Sequence, residues 1–158
     1  MSNYTLIGIK PDVFLPYASR ESWSKLRFSL PENPENFVNE VKTLILERAL
    51  FIVLEKRYLV PAHIAREHYN EHAGVWDKNY QQDKQDFLVK YLTSGNSHWF
   101  IIQWDDAIKK WREIIISLRE KYLVDRKFAR YNMTHASDSQ ESVQREIWLH
   151  FPEFILIS

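Results

Sequence analysis

Apolar positions along this chain recur with two periods, one suited to strands and one to helices. Residues 4–9 form a short β-prone run that stops at Lys10-Pro11-Asp12, because proline cannot donate to a sheet ladder. From residue 13 to 34 the pattern is irregular, broken by Pro16, Pro31 and Pro34. Asn33-Pro34 then supplies a helix cap and a first-turn proline. Phe37, Val38, Val41, Leu44 and Ile45 follow at spacings of three and four, which predicts an amphipathic helix. Apolar runs on either side of a charged stretch predict a second strand over 51–60. Residues 61–72 read as helix, with Ile64, Ala65, His68 and Tyr69 on adjoining faces. Residues 87–92 read as another, stopped by Ser94-Gly95.

The run from Trp99 to Trp104 is apolar except at Gln103, as suits a buried central strand. Asp105-Asp106 open the next helix, with Ala107, Ile108, Trp111, Ile115 and Leu118 inward and Lys109 and Lys110 outward. A strand end before Ala136 and a helix carrying Val143, Ile147 and Trp148 complete the pattern, and Phe151-Pro152 stops it. This succession predicts an α+β fold, an antiparallel sheet with helices packed on it, for which the ferredoxin-like β-α-β-β-α-β unit is one arrangement. No internal repeat or composition shift divides the chain, so one domain over 1–158 is expected.

Length and composition narrow the function. A chain of 158 residues is long enough for a real core, and 45% hydrophobic with 15% aromatic residues argues against disorder. Lys+Arg and Asp+Glu number 21 each, so no net field draws the protein to nucleic acid or an anionic membrane. Any phosphate site must be a local cluster of basic residues. The absence of cysteine excludes disulfides, thiolate catalysis and zinc-thiolate sites. The first residues do not resemble a signal peptide and no apolar run approaches a membrane span, so a cytoplasmic protein is expected.

Two stretches carry candidate chemistry. Near the C-terminus, His135 precedes a polar turn in which Ser137 or Asp138 can cap a helix, with Gln140 or Glu141 three residues later. A helix N-terminus offers free N–H groups and a positive dipole end, so a phosphoryl group beside it would meet the His135 imidazole. Ordinary helix caps share this composition. Residues 68–72, His-Tyr-Asn-Glu-His, spell H-x-x-E-H, which sets two imidazoles four residues apart in workable metal geometry. Patterns this short recur by chance, and peptidases of that type are much larger chains.

The run Asn132-x-x-His135-Ala136-Ser137-Asp138-Ser139-x-Glu141-Ser142-x-x-x-Glu146-Ile147 resembles the signature of nucleoside diphosphate kinases, with Ala136 where that family usually has glycine. Lys10-Pro11-Asp12 matches a second element of the same family, in the expected order. The resemblance covers nearly the whole chain and implies a ferredoxin-like four-stranded antiparallel sheet. It implies ping-pong phosphoryl transfer: His135 takes the γ-phosphate of ATP or another nucleoside triphosphate and passes it to a diphosphate. An unperturbed imidazole is largely neutral at pH 7, as attack requires. Glu146 would hold the ring by its other nitrogen, and Ser137 would support Glu146 or the turn. Lys10, Arg112 and Arg119 would neutralise phosphate oxygens, with Mg²⁺ bridging them. Arg126 is the alternative to Arg119, because spacing to Asn132 is altered. Asn132 would bind the ribose and β-phosphate end, with Tyr69 and Leu88 also lining the nucleotide site.

The chain departs from the family in three places. Residues 13–34 are longer than usual. The Arg-Pro-Phe-Phe segment that stacks on the base is absent from 74–82, where Trp76 or Tyr80 either takes its place or packs beneath the loop. The long loop with a phosphate-contacting Thr is replaced by residues 117–130, which are locally basic but have no such Thr. These departures keep open a second reading, a weakly active or inactive nucleotide-binding relative. A structural or nucleic-acid-binding module is a third, against which the even charge balance counts. Family members assemble from dimers, and the replaced loop normally joins three subunits. The expected assembly is therefore a homodimer through the first helix and neighbouring strand, with Val38, Leu44 and Phe51 in the contact.

Overall fold

Four strands form one antiparallel sheet in the order β2-β3-β1-β4, with β1 at Tyr4–Ile9, β2 at Phe51–Tyr58, β3 at Ser97–Gln103 and β4 at Thr134–Ala136. The structure is a computed structural model and describes residues 4–19, 28–70, 78–103, 105–124 and 133–154. Five helices accompany the sheet among these residues: α1 Pro34–Glu47, α2 Ala62–Tyr69, α3 Lys78–Leu92, α4 Ala107–Tyr122 and α5 Gln140–His150. This is the ferredoxin-like α+β arrangement expected from the sequence.

The strand period of two sends alternate residues to two cores. Ile7, Ile9, Phe100 and Ile102 pack with Phe37, Val41 and Ile45 of α1 and with Trp111, Ile115 and Leu118 of α4. Leu6, Trp99 and Ile101 face the other way, against Ala65 of α2, Leu92 of α3 and Val143 and Ile147 of α5. Strand β3 is buried along nearly its whole length, which explains its unbroken apolar run. Strand β2 lies at the edge, with Phe51 and Leu54 exposed and a register shift between Ile52 and Leu54.

Asn33 caps α1 as predicted, its side chain accepting from the Glu35 N–H at 3.0 Å. The final helix differs from expectation. Its cap is Ser139, which accepts from the Ser142 N–H at 3.1 Å, not Ser137 or Asp138. Both expected caps are engaged elsewhere: Ser137 turns inward, and Asp138 accepts from the Ser142 hydroxyl at 2.8 Å. Helix α4 bears out the inward stripe through Leu118 and runs on through Tyr122, so the first part of residues 117–130 is helix. Within 13–34, Tyr17–Ser19 form a 3-10 turn and Phe28 bridges to Leu123, which seats the Phe28 ring in the first core. Val38 is buried in that same core, so it cannot serve a subunit contact, and Trp148 is 71% exposed. No helix among the described residues is long and apolar enough to cross a membrane.

Candidate functional site

Strand β4 is short, and its middle residue is His135, paired with Gly8 of β1. On its other side Gly8 pairs with Trp99 of β3. A Cβ at Gly8 would stand 2.6 Å from the Trp99 ring, so only glycine lets the indole lie flat across this strand. That indole stacks on His150 at 3.8 Å between centroids and packs at 5.7 Å from the His135 ring. The Trp111 indole N–H reaches the His135 carbonyl from the opposite core at 3.4 Å.

The His135 ring is held by α5. Its Nε2 lies 2.7 Å from Oε2 of Glu146, and the Ser137 hydroxyl donates to the same oxygen at 2.5 Å. Glu146 is buried, which by itself raises a carboxyl pKa. The charge interaction with His135, together with hydrogen bonds from His135 and Ser137, overcomes that and holds it below the ordinary value. An ionised Glu146 can only accept, so Nε2 carries the His135 proton and Nδ1 carries the lone pair. The His135 side chain is 17% exposed, so it can be reached from solvent.

Lys10 sits at the end of β1 and is buried, its backbone N–H donating to Met133 just before β4. Its Nζ lies 6.0 Å from the Tyr69 ring centroid and 5.7 Å from that of Tyr91. Burial first, then repulsion from Arg119, lowers its pKa to about 8, with Asp12 partly opposing them. Asp12 is itself buried and accepts from the Tyr91 hydroxyl at 2.9 Å. The Tyr69 hydroxyl is buried with no hydrogen-bond partner among the described residues. Burial also pushes the Tyr69 phenol upward, so it remains a neutral donor.

The predicted residues thus divide. His135, Glu146 and Ser137 meet in one hydrogen-bonded group, and Lys10, Tyr69 and Arg119 share a second locus beside it. Arg112 is exposed and lines a surface depression with Asp106, Lys109 and Gln140. Leu88 is half-buried against the second core. Trp76, Asn132, Arg126 and the Tyr80 side chain lie outside the described residues, as do Glu71 and His72 of the H-x-x-E-H run. His68 of that run is buried, with its Nδ1 3.1 Å from Nε2 of His150, whose Nδ1 lies 2.7 Å from the Tyr58 hydroxyl. Burial first, then the neighbouring His135, lowers both His68 and His150 well below the ordinary imidazole range. Sequence reasoning missed Gly8, Tyr58, Tyr91, Trp99 and His150. Asp12, by contrast, had a local signal in the Lys10-Pro11-Asp12 turn.

Comparison with known proteins gives a consistent result. A family model described as nucleoside diphosphate kinase matches residues 31–155. The nucleoside diphosphate kinase of Methanosphaera stadtmanae is 33% identical over 124 aligned residues, covering 72% of this chain and 75% of that protein. That of Nocardia farcinica is 33% identical over 167 aligned residues, covering 98% of each. The Aquifex aeolicus nucleoside diphosphate kinase, in its orthorhombic C222 form, superposes with a TM-score of 0.64 at 24% identity, covering 96% of each chain. The Borrelia burgdorferi enzyme, solved as a transition-state mimic with bound vanadate and ADP, gives 0.70 at 17% identity, covering 99% of this chain and 92% of that one. At these identities the structural likeness is one of fold.

Proposed function

The chain belongs to the nucleoside diphosphate kinase family, and from that premise we propose that it moves the γ-phosphate of a nucleoside triphosphate to a nucleoside diphosphate through a phosphohistidine at His135. The observation that carries this reading is the group at His135, with Glu146 at 2.7 Å from Nε2 and Ser137 at 2.5 Å from the same carboxylate oxygen. It orients Nδ1 as the nucleophile and supplies an anion for the charge that develops on the ring. Nδ1 attacks the γ-phosphorus, a P–N bond forms, and the bond to the bridging oxygen breaks with its electron pair leaving on the diphosphate. A terminal oxygen of a second diphosphate then attacks the phosphorus, the P–N bond breaks, and neutral His135 returns.

Lys10 and Arg119 are the cations of the site, facing phosphate oxygens as charge shifts toward the leaving group. The Tyr69 hydroxyl, buried and unpaired among the described residues, supplies a neutral donor there. Arg112 and Asn132 extend the nucleotide site in this reading. The divalent ion of the family's chemistry is taken as Mg²⁺, carried in on the nucleotide, because Mg²⁺ takes oxygen ligands and the group around Glu146 offers imidazole nitrogens. Bound in that way, it neutralises charge on the phosphate oxygens. The intact His135–Glu146–Ser137 group favours an active enzyme over an inactive nucleotide-binding relative. The domain is read as residues 1–158, acting as a homodimer in the cytoplasm.

The test is incubation with γ-labelled ATP and Mg²⁺. An acid-labile, alkali-stable label should appear on the protein and vanish in His135→Ala. Label that survives this substitution refutes the assignment.

A further inference from the structure

We propose that His68, His135 and Glu146 form a site for a nitrogen-seeking divalent ion of the Zn²⁺ class, and that occupying it switches phosphoryl transfer off. One imidazole nitrogen from each histidine and one carboxylate oxygen of Glu146 lie within 4.8 Å of one another. His68 and Glu146 are buried, and His135 is only partly exposed. Two imidazoles with one carboxylate suit a borderline ion in tetrahedral geometry, whereas Mg²⁺ takes oxygen ligands. Ligands at about 2.0–2.1 Å from such an ion stand roughly 3.3 Å apart. The 2.7 Å gap between His135 Nε2 and Glu146 Oε2 therefore has to open by a fraction of an ångström, and the separations to His68 have to close by at most about 1.5 Å.

A ligand histidine needs a partner on its other nitrogen to fix its tautomer, and His68 has one. Its Nδ1 lies 3.1 Å from His150 Nε2, and His150 Nδ1 lies 2.7 Å from the Tyr58 hydroxyl. When His68 Nδ1–H donates to His150 and His150 Nδ1–H donates to Tyr58, the lone pair of His68 falls on Nε2, free for a metal. The His68 and His135 rings are 4.3 Å apart between centroids, and one His68 nitrogen lies within 4.8 Å of the ligand atoms of His135 and Glu146. Arg145 stays near the other carboxylate oxygen of Glu146, at 3.6 Å, so only one oxygen is available as ligand.

The consequence follows from proton bookkeeping. An ion on His135 takes the Nε2 lone pair, so the proton of Nε2 leaves to solvent and one is taken up at Nδ1, with no net change. Nδ1 then has no lone pair with which to attack phosphorus. This consequence rests on His135 being the phosphoryl acceptor, while the metal site itself does not.

The probe is Co²⁺, which reports tetrahedral coordination in its visible spectrum, followed by Zn²⁺ in the transfer assay. The parent protein should bind one Co²⁺ per chain with a tetrahedral band, which Zn²⁺ displaces and excess Mg²⁺ does not. Zn²⁺ should inhibit transfer, and a chelator should restore it. His68→Phe keeps the ring against Trp99 and His135 but loses the ligand, so band and inhibition should both disappear, relative to its own metal-free rate. Should His68→Phe not fold, His150→Phe keeps a ring on Trp99 and all three ligands, loses the nitrogen that partners His68, and should weaken metal affinity about 10–100-fold. A parent without the band, a folded His68→Phe that binds Co²⁺ as the parent does, or His150→Phe with parental affinity overturns the site. A His68-dependent band in a protein that cannot transfer phosphate refutes the kinase reading and leaves the metal site standing. Transfer unimpeded by bound Zn²⁺ overturns the switch.

Discussion

Nε2 of His135 and Oε2 of Glu146 stand 2.7 Å apart across the turn between β4 and α5, and the carboxylate is buried. A buried anion in this position determines which ring nitrogen carries the proton, and thereby which one can react.

Glu146→Gln keeps the shape of the side chain and removes its charge. Phosphorylation of His135 in a single turnover should slow by about a hundredfold, the scale of acid–base and orienting contributions, with the fold intact by circular dichroism. An unchanged rate would mean that another group holds the ring.

Lys10 makes a pH prediction with two opposite limbs. Its pKa in the folded protein is about 8 against 10.5 when solvated, lowered by burial and then by Arg119. Above about pH 8 the folded protein loses this charge, so KM for nucleotide should rise, and Lys10→Gln should lack that rise. Between about 8 and 10.5 the unfolded chain holds a proton that the folded one has released, so this group makes stability rise with pH there. A KM that stays level through this interval in the parent refutes the placement of Lys10 against phosphate.

Gly8→Ala drives a methyl group into the Trp99 ring, where a Cβ would lie at 2.6 Å. Overpacking of this kind costs about 1–3 kcal/mol, to be read by denaturant unfolding. Since Gly8 is also the register partner of His135, the transfer rate should fall as well. A variant as stable as the parent would show that the indole moves aside at little cost.

Trp76 and Tyr80 compete for the role of the missing stacking phenylalanine. Removing the ring that stacks should cost about 1–3 kcal/mol of nucleotide affinity, similar for purines and pyrimidines. Parental ADP affinity in both alanine variants, measured by calorimetry, would make the segment structural only.

Phe51, 57% exposed on the edge strand, is offered as part of the dimer contact now that Val38 is known to be buried. Light scattering at micromolar concentration should give two chains for the parent and one for Phe51→Arg. A parent mass near six chains would show that the trimer contacts had been rebuilt elsewhere.

What the sequence by itself determined was whatever neighbours along the chain decide. The period of Phe37, Val41 and Ile45 made a helix, the unbroken run through Ile101 made a central strand, and the cap and proline at 33–34 placed a helix start. His135, Ser137 and Glu146 were legible because their spacing is carried by a strand end, one turn and one helix, and Lys10 because Pro11 ends the first strand beside it. The tertiary structure decided which side chains face one another across the sheet. Ser137 serves Glu146 rather than the helix end, a choice that depends on α5 lying against β1. Arg119 acts on Lys10 because α4 continues past Leu118 to Tyr122 and carries it toward the end of β1. His68 meets His150 from 82 residues away, and both pack around an indole that only Gly8 admits. Such contacts have no local period, since they arise only when two helices and three strands have closed on one another.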